Sequence, residues 1–188
     1  MSSRTTTKKP RAADAISLLT TDHRRVKRLL NALEKTTERA ANRRETLLRE
    51  VETEIKIHSK VEEEIFYPAY KEAARKSDEH LYYEALEEHR LVDVVLPEMK
   101  STEAGSDEFG AKAKVLKDLI EHHAEEEETE MFPKARKVIS AEDLREIGKQ
   151  IQSRKQELQA GLFTRVARTT GTAFGTIINK VGNRKRAA

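Results

Sequence analysis

No cysteine occurs in this 188-residue chain. That excludes a disulfide framework, thiolate metal ligands and cysteine nucleophiles, and it fits a reducing compartment. Aromatic residues make up only 5%, tryptophan is absent, and there are 7 glycines and 4 prolines. With so few turn-formers, and with Leu, Ile, Val and Ala spread at intervals, long amphipathic helices are favoured over sheets. No stretch approaches the roughly 18 apolar residues of a membrane span, and the opening MSSRTTTKKPRAADA lacks the apolar segment of a secretion signal. The expectation is a soluble, cytoplasmic protein built around one core.

Acidic residues are missing from both ends. Residues 1–13 carry Arg4, Lys8, Lys9 and Arg11, and residues 161–188 carry Arg165, Arg168, Lys180, Arg184, Lys185 and Arg186, with no Asp or Glu in either stretch. Charged residues are 37% of the chain and the net charge is +3, so setting those ten cations aside leaves about −7 on residues 14–160. This predicts an acidic body, a basic disordered arm over 1–13 and a basic flexible tail over 161–188.

Three- and four-residue periodicity is abundant. Ile16, Leu19, His23, Val26, Leu30 and Leu33 mark a helix over 14–38, and Leu48, Val51, Ile55, His58, Glu62, Ile65 and Ala69 a second over 44–76. Tyr82, Leu86, His89, Val92, Leu96 and Met99 mark a third, from a Ser77 cap to about residue 100. After the loop STEAGSDEFG at 101–110, Leu116, Ile120, His123, Glu127 and Met131 mark a fourth to about residue 137. SAED at 140–143 resembles a capping box and opens an additional helix over 140–160, with Leu144, Ile147, Ile151 and Leu158 on its stripe and Gly161 ending it.

Six polar residues interrupt these apolar seams, and an internal repeat relates them. HSKVEEEIFYP at 58–68 aligns without a gap to HAEEEETEMFP at 123–133, pairing His58 with His123, Glu62 with Glu127 and Pro68 with Pro133 at an offset of 65. His23 and His89 follow at an offset of 66. The chain therefore reads as two helical hairpins, each giving a His from its first helix and a His-x-x-x-Glu from its second.

A four-residue step is nearly one helical turn, so His and Glu project from one face onto neighbouring levels. In a four-helix bundle such side chains converge at the axis, where buried carboxylates beside imidazoles are costly unless cations lie between them. His23, His58, Glu62, His89, His123 and Glu127 thus form a candidate site for two metal ions. Mixed imidazole and carboxylate donors suit iron, manganese or zinc better than magnesium or calcium. With both Glu bridging, together with an oxide or hydroxide, each ion keeps room for a small exogenous ligand.

The order His, His-x-x-x-Glu, His, His-x-x-x-Glu, with the second motifs running into FYP and MFP, resembles the hemerythrin-like, or HHE cation-binding, family over residues 14–137. The resemblance implies an all-α, up-down antiparallel four-helix bundle with a non-haem diiron centre, oxo- or hydroxo-bridged and ligated by those six residues. It further implies binding of dioxygen, nitric oxide or peroxide, or a response to iron, redox state or stress. One position departs: oxygen-carrying hemerythrins have a fifth histidine four residues before the third-helix ligand, and Ala85 stands there. Glu54 and Asp93, each one turn from a proposed ligand, are the candidates to replace it, against the plainer reading that both are solvated acids.

A dimetal oxidase, peroxidase-like or hydrolytic enzyme is one alternative, and a metal-free interaction bundle another. No further general acid or base stands out, which favours a binding, sensing or redox-homeostasis role over a dedicated enzyme. His122 and Glu126 form a second His-x-x-x-Glu in an overlapping phase, but alignment to the prolines selects His123 and Glu127 and leaves His122 at the surface or behind the ligands. His80 is expected to be exposed near a helix start. Pro68 and Pro133 either bend their helices or sit near helix ends. In the tail, Phe163, Val166, Thr170, Phe174, Ile177 and Val181 recur at helical steps between cations. Such a segment suits loose docking on the acidic body, or contact with anionic membrane or nucleic acid.

Overall fold

The periodic segments form helices, and every regular element is helical in the computed structural model, which describes residues 13–182 and their side chains to residue 161. α1 (Ala15–Glu34) starts at Asp14, whose carboxylate accepts the Ser17 N–H at 2.8 Å. α2 (Ala41–Val61) runs through a π-helical turn, Glu62–Phe66, into α3 (Tyr67–Ala73). After α4 (Glu79–Ser101), α5 (Asp107–Glu126) starts at Ser106, whose hydroxyl accepts the Phe109 N–H. It runs through a second π turn, Glu127–Met131, into α6 (Phe132–Val138). α7 (Ala141–Gly182) follows Ser140, whose hydroxyl accepts the Asp143 N–H at 3.1 Å and donates to its carboxylate at 2.7 Å.

The chain divides into two units, residues 1–152 and 153–188. Within the first, α1 packs on α2 and α5, and α4 on α5 and α2, so four long helices close a ring. Its interior is layered. Toward the two hairpin loops lies an apolar layer of residues such as Val26, Leu30, Val51, Leu96, Phe109 and Leu116. Full burial of such side chains stabilises by about 1.5–3 kcal/mol each. Past the six polar residues comes a second apolar layer that includes Leu19, Phe66, Tyr70, Met131 and Ile151. Arg44, only 5% exposed, closes the loop end by donating to Thr36 O and Oγ1, Ala104 O and Ser106 O at 2.9–3.2 Å. At the other end, a Cβ on Gly148 would stand 2.7 Å from the Ala13 carbonyl oxygen, so α7 approaches the start of α1 this closely because that residue has no side chain. No described helix is long and apolar enough to cross a membrane.

Several expectations are corrected. The third helix begins at Glu79, and Ser77 falls in a short 3-10 turn, Lys76–Asp78, instead of capping it. α7 passes through Gly161, because a glycine stops a helix by taking positive φ and no described glycine does so. Each proline stands in the first turn of a helix, Pro68 in α3 and Pro133 in α6, as the reading that placed them near helix ends expects. Pro68 and Pro133 come one residue after the π turns, whose closing Tyr67 and Phe132 N–H groups reach back five residues to the Glu62 and Glu127 carbonyls. A proline ring crowds the carbonyl four residues back, and widening the turn before it relieves that crowding. The extra residue also shifts the stripe. Phe66 and Tyr70 are buried where the four-residue step predicted Ile65 and Ala69. The arm expected over 1–13 and the side chains of the basic tail lie almost entirely outside the described residues.

Candidate metal centre

Each proposed ligand sits on the inward seam: His23 on α1, His58 at the end of α2, His89 on α4 and His123 at the end of α5, with Glu62 and Glu127 opening the π turns. All six are buried, none more than 6% exposed. Single donor atoms of His23, His58, Glu62, His123 and Glu127 all lie within 4.8 Å of one another. His89 joins through Nε2, 3.4 Å from Glu62 Oε2 and 3.3 Å from His123 Nε2. Glu62 spans the cluster, with Oε1 3.1 Å from His58 Nε2 and Oε2 toward His89. Glu127 Oε2 lies 3.1 Å from His23 Nε2 and 3.7 Å from His123 Nε2.

The outer nitrogens are tied off in turn. His23 Nδ1 lies 2.8 Å from Glu128, His89 Nδ1 2.9 Å from Glu63, His123 Nδ1 2.7 Å from Glu88 and His58 Nδ1 3.4 Å from Asp22. These carboxylates obey the repeat as well: Asp22 and Glu88 each precede a first-helix histidine, and Glu63 and Glu128 each follow a bridging Glu. A carboxylate accepting from Nδ1–H leaves the Nε2 lone pair facing inward, the tautomer and orientation a metal-binding imidazole takes. His89 and His123 Nε2 lone pairs then face each other at 3.3 Å, an arrangement that requires a cation or a proton between them.

The same conclusion follows from the unmet hydrogen bonds. Among the described residues, the buried side-chain N and O atoms with no hydrogen-bond partner are His23 Nε2, His58 Nε2, Glu62 Oε1 and both Glu127 carboxylate oxygens, all in this one cluster. Orphaned buried polar atoms cost about 1–3 kcal/mol each, so five of them pointing at one place fit a cationic occupant. Charges respond to the crowding. Burial opposes charge on His58, but Glu62 and Asp22 outweigh it and raise its pKa to about 10, and Glu62 with Glu63 likewise raises His89 to about 9. His23 is raised too, burial being outweighed by Glu127 and Glu128, and the histidines hold Glu62 well below the usual carboxylate range against its burial.

Neither sequence candidate for the place of a fifth histidine reaches the site. Glu54 pairs with Arg25 at 3.0 Å, and Asp93 is exposed. Instead Tyr67, wholly buried, brings its hydroxyl to 3.4 Å from His89 Nε2 and 3.5 Å from Glu62 Oε2. Burial, with Glu127 and Glu62 nearby, raises its pKa well above 10. Sequence reading missed it, although the repeat held the signal: Tyr67 of FYP aligns with Phe132 of MFP. His80 is exposed, accepting no inner contact, with Nδ1 2.8 Å from Ser77 O. His122 is exposed and stands at the surface with Glu126 and with Glu88, the carboxylate that also holds His123 Nδ1.

Comparison with known proteins bears on the family and the fold. The family described as Hemerythrin HHE cation binding domain matches residues 14–135. A crystal structure of a hemerythrin HHE cation-binding domain-containing protein from Mycobacterium kansasii superposes with a TM-score of 0.72 at 25% identity, covering 82% of this chain and 93% of that one. No curated protein matches. A family match over this span of the chain, together with the helical bundle and its His/Glu cluster, establishes that the chain belongs to the hemerythrin HHE cation-binding domain family.

Proposed function

We propose that this protein holds two iron ions between His23, His58, Glu62, His89, His123 and Glu127, and that it binds a small ligand there, either peroxide or a diatomic such as dioxygen or nitric oxide, in redox or stress homeostasis. The observation that carries the reading is the inward-facing set of unpartnered donors, each imidazole among them backed by a carboxylate. Mixed nitrogen and oxygen donors suit iron, with manganese and zinc as competitors. Bound iron supplies a one-electron couple and coordination positions for an added ligand.

The protein's own contribution is positional and dielectric. Asp22, Glu63, Glu88 and Glu128 fix the imidazole tautomers, and Glu62 and Glu127 provide oxygens to both halves. Val26, Ile55, Val92 and Ile120 wall the loop side of the histidines around a cavity of about 10 Å³. A space of that size, about one water-sized sphere, admits only a very small ligand.

Metal analysis of the purified protein, with absorption spectra before and after peroxide or nitric oxide, tests the reading. About two irons per chain, with charge-transfer bands that change on ligand addition, is the expected result. Two zinc ions without colour would move the reading to hydrolysis, and a protein that takes up no metal overturns it.

A further inference from the structure

α2 and α4 meet less closely than the other neighbouring helices of the bundle, and polar ties cross the seam between them. Lys100 Nζ donates to Glu52 Oε1 at 2.8 Å, and His89 Nδ1 lies 2.9 Å from Glu63. Glu52, Lys56, Ser59 and Glu63 follow one another at steps of four, three and four, so they fall on one face of the helix, the face that meets α4. Ser59 therefore stands in the seam between the two ties. On its outer side a groove of about 400 Å³ is lined by Glu52, Lys56, Asp93 and Leu96. On its inner side Ser59, with Ile55 and Val92, lines the small cavity against the histidines. Groove and cavity thus adjoin within one turn of each helix, Lys56 next to Ser59 on α2 and Asp93 next to Val92 on α4.

The cavity wall is otherwise poor in donors. Apart from the four histidines, Ser59 is its one polar side chain among the described residues. The imidazoles have no N–H to spare, because each Nδ1 lies against a carboxylate and each Nε2 faces the cluster. The Ser59 hydroxyl is uncommitted. Thr46 and Thr53, earlier on α2, donate to the carbonyls four residues back at 2.9 and 2.8 Å, the usual outlet for a hydroxyl inside a helix. Ser59, half-buried, makes no side-chain hydrogen bond among the described residues. A hydroxyl on an apolar wall is costly unless something pairs with it.

We infer that the small ligand reaches the centre through the α2–α4 seam and that Ser59, at the inner mouth of this route, donates its hydroxyl hydrogen to the ligand in the cavity. Ser59 is thus a specificity-determining residue: it favours a ligand with an acceptor atom, and its size sets the width of the entrance. The inference rests on the reading of the cluster as a metal centre that takes up a small ligand.

Nitric oxide and the iron-loaded full chain test it, with Ser59→Ala and Ser59→Leu as variants. Alanine and leucine are both better helix formers than serine, so both variants are expected to fold and to carry the parent's two irons by metal analysis. In stopped-flow mixing, Ser59→Ala is expected to bind nitric oxide at the parent's rate and to release it about two- to tenfold faster, the contribution of one ordinary hydrogen bond. The parent's N–O stretching frequency should shift in heavy water, and that shift should vanish in Ser59→Ala. Ser59→Leu, which fills the entrance, is expected to bind nitric oxide at least tenfold more slowly. A parent-like release rate and isotope shift in Ser59→Ala overturn the donor role, and a parent-like binding rate in Ser59→Leu overturns the route. Either result, with two irons and nitric oxide still bound, leaves the metal reading intact, whereas a parent that takes up no iron overturns both.

Discussion

Replacing Glu128 by alanine isolates the contribution of the carboxylates behind the histidines, because Glu128 touches the site through a single atom. Its Oε1 lies 2.8 Å from His23 Nδ1, and the side chain is 32% exposed, so the substitution removes an orienting bond without opening a core cavity. Loss of such a partner typically weakens metal affinity by about 10- to 100-fold, or about 1.4–2.7 kcal/mol. Distance orders the four. Glu63→Ala and Glu88→Ala, at 2.9 and 2.7 Å, belong with Glu128→Ala, whereas Asp22→Ala, at 3.4 Å, belongs at the weak end. Zinc or cobalt affinity would be measured by competition with a chromophoric chelator at fixed pH, with thermal melts of the metal-free variants to separate binding from folding. Glu130→Ala is the control, since that side chain is 54% exposed and lies beside Lys134 at 3.7 Å. An affinity in Glu128→Ala within about twofold of Glu130→Ala would refute the idea that these carboxylates hold the imidazoles for metal.

Other perturbations bear on the same architecture. His58→Ala or Glu62→Ala is expected to lower bound metal as strongly as His123→Ala or Glu127→Ala, with His80→Ala unchanged, when each purified variant is assayed for metal content; retention of two ions in all four contradicts the ligand assignment. His58 and His89, raised to about 10 and about 9, carry protons at neutral pH in chelator-stripped protein, so metal uptake at pH 7 should release at least one proton, read by calorimetry in buffers of differing ionisation heat. The sign for stability follows: a histidine whose folded pKa is raised above about 6.5 stabilises the metal-free fold fully below that pH, and the contribution is lost as pH rises through about 9 to 10. Melting temperatures that stay flat across that upper window would count against the charged pairs. Arg44→Ala removes a buried guanidinium and leaves the Ala104 and Ser106 carbonyls without it, at a cost of about 3 kcal/mol in denaturant unfolding, whereas a loss under about 0.5 kcal/mol would mean the loop ties contribute little.

Helical periodicity and the 65-residue repeat were enough to place His23, His58, Glu62, His89, His123 and Glu127 on inward seams, since both are properties of spacing along a chain that has already chosen to be helical. The α1 stripe is buried throughout, from Ile16 to Leu33, as spacing alone predicts. Spacing was silent wherever the backbone left the 3.6-residue period. At Glu62–Phe66 one π turn rotates the stripe, so Phe66, Tyr67 and Tyr70 turn inward and Ile65 does not. Only packing of one hairpin against the other sets Glu128 on His23, 105 residues away, and Glu63 on His89. Wherever a helix keeps its 3.6-residue period, the sequence by itself determined which residues face the axis, because that depends on local helical geometry. The tertiary structure decided which carboxylate holds which imidazole, and that Tyr67, not Glu54 or Asp93, reaches His89 and Glu62, because those pairings depend on how separate helices meet.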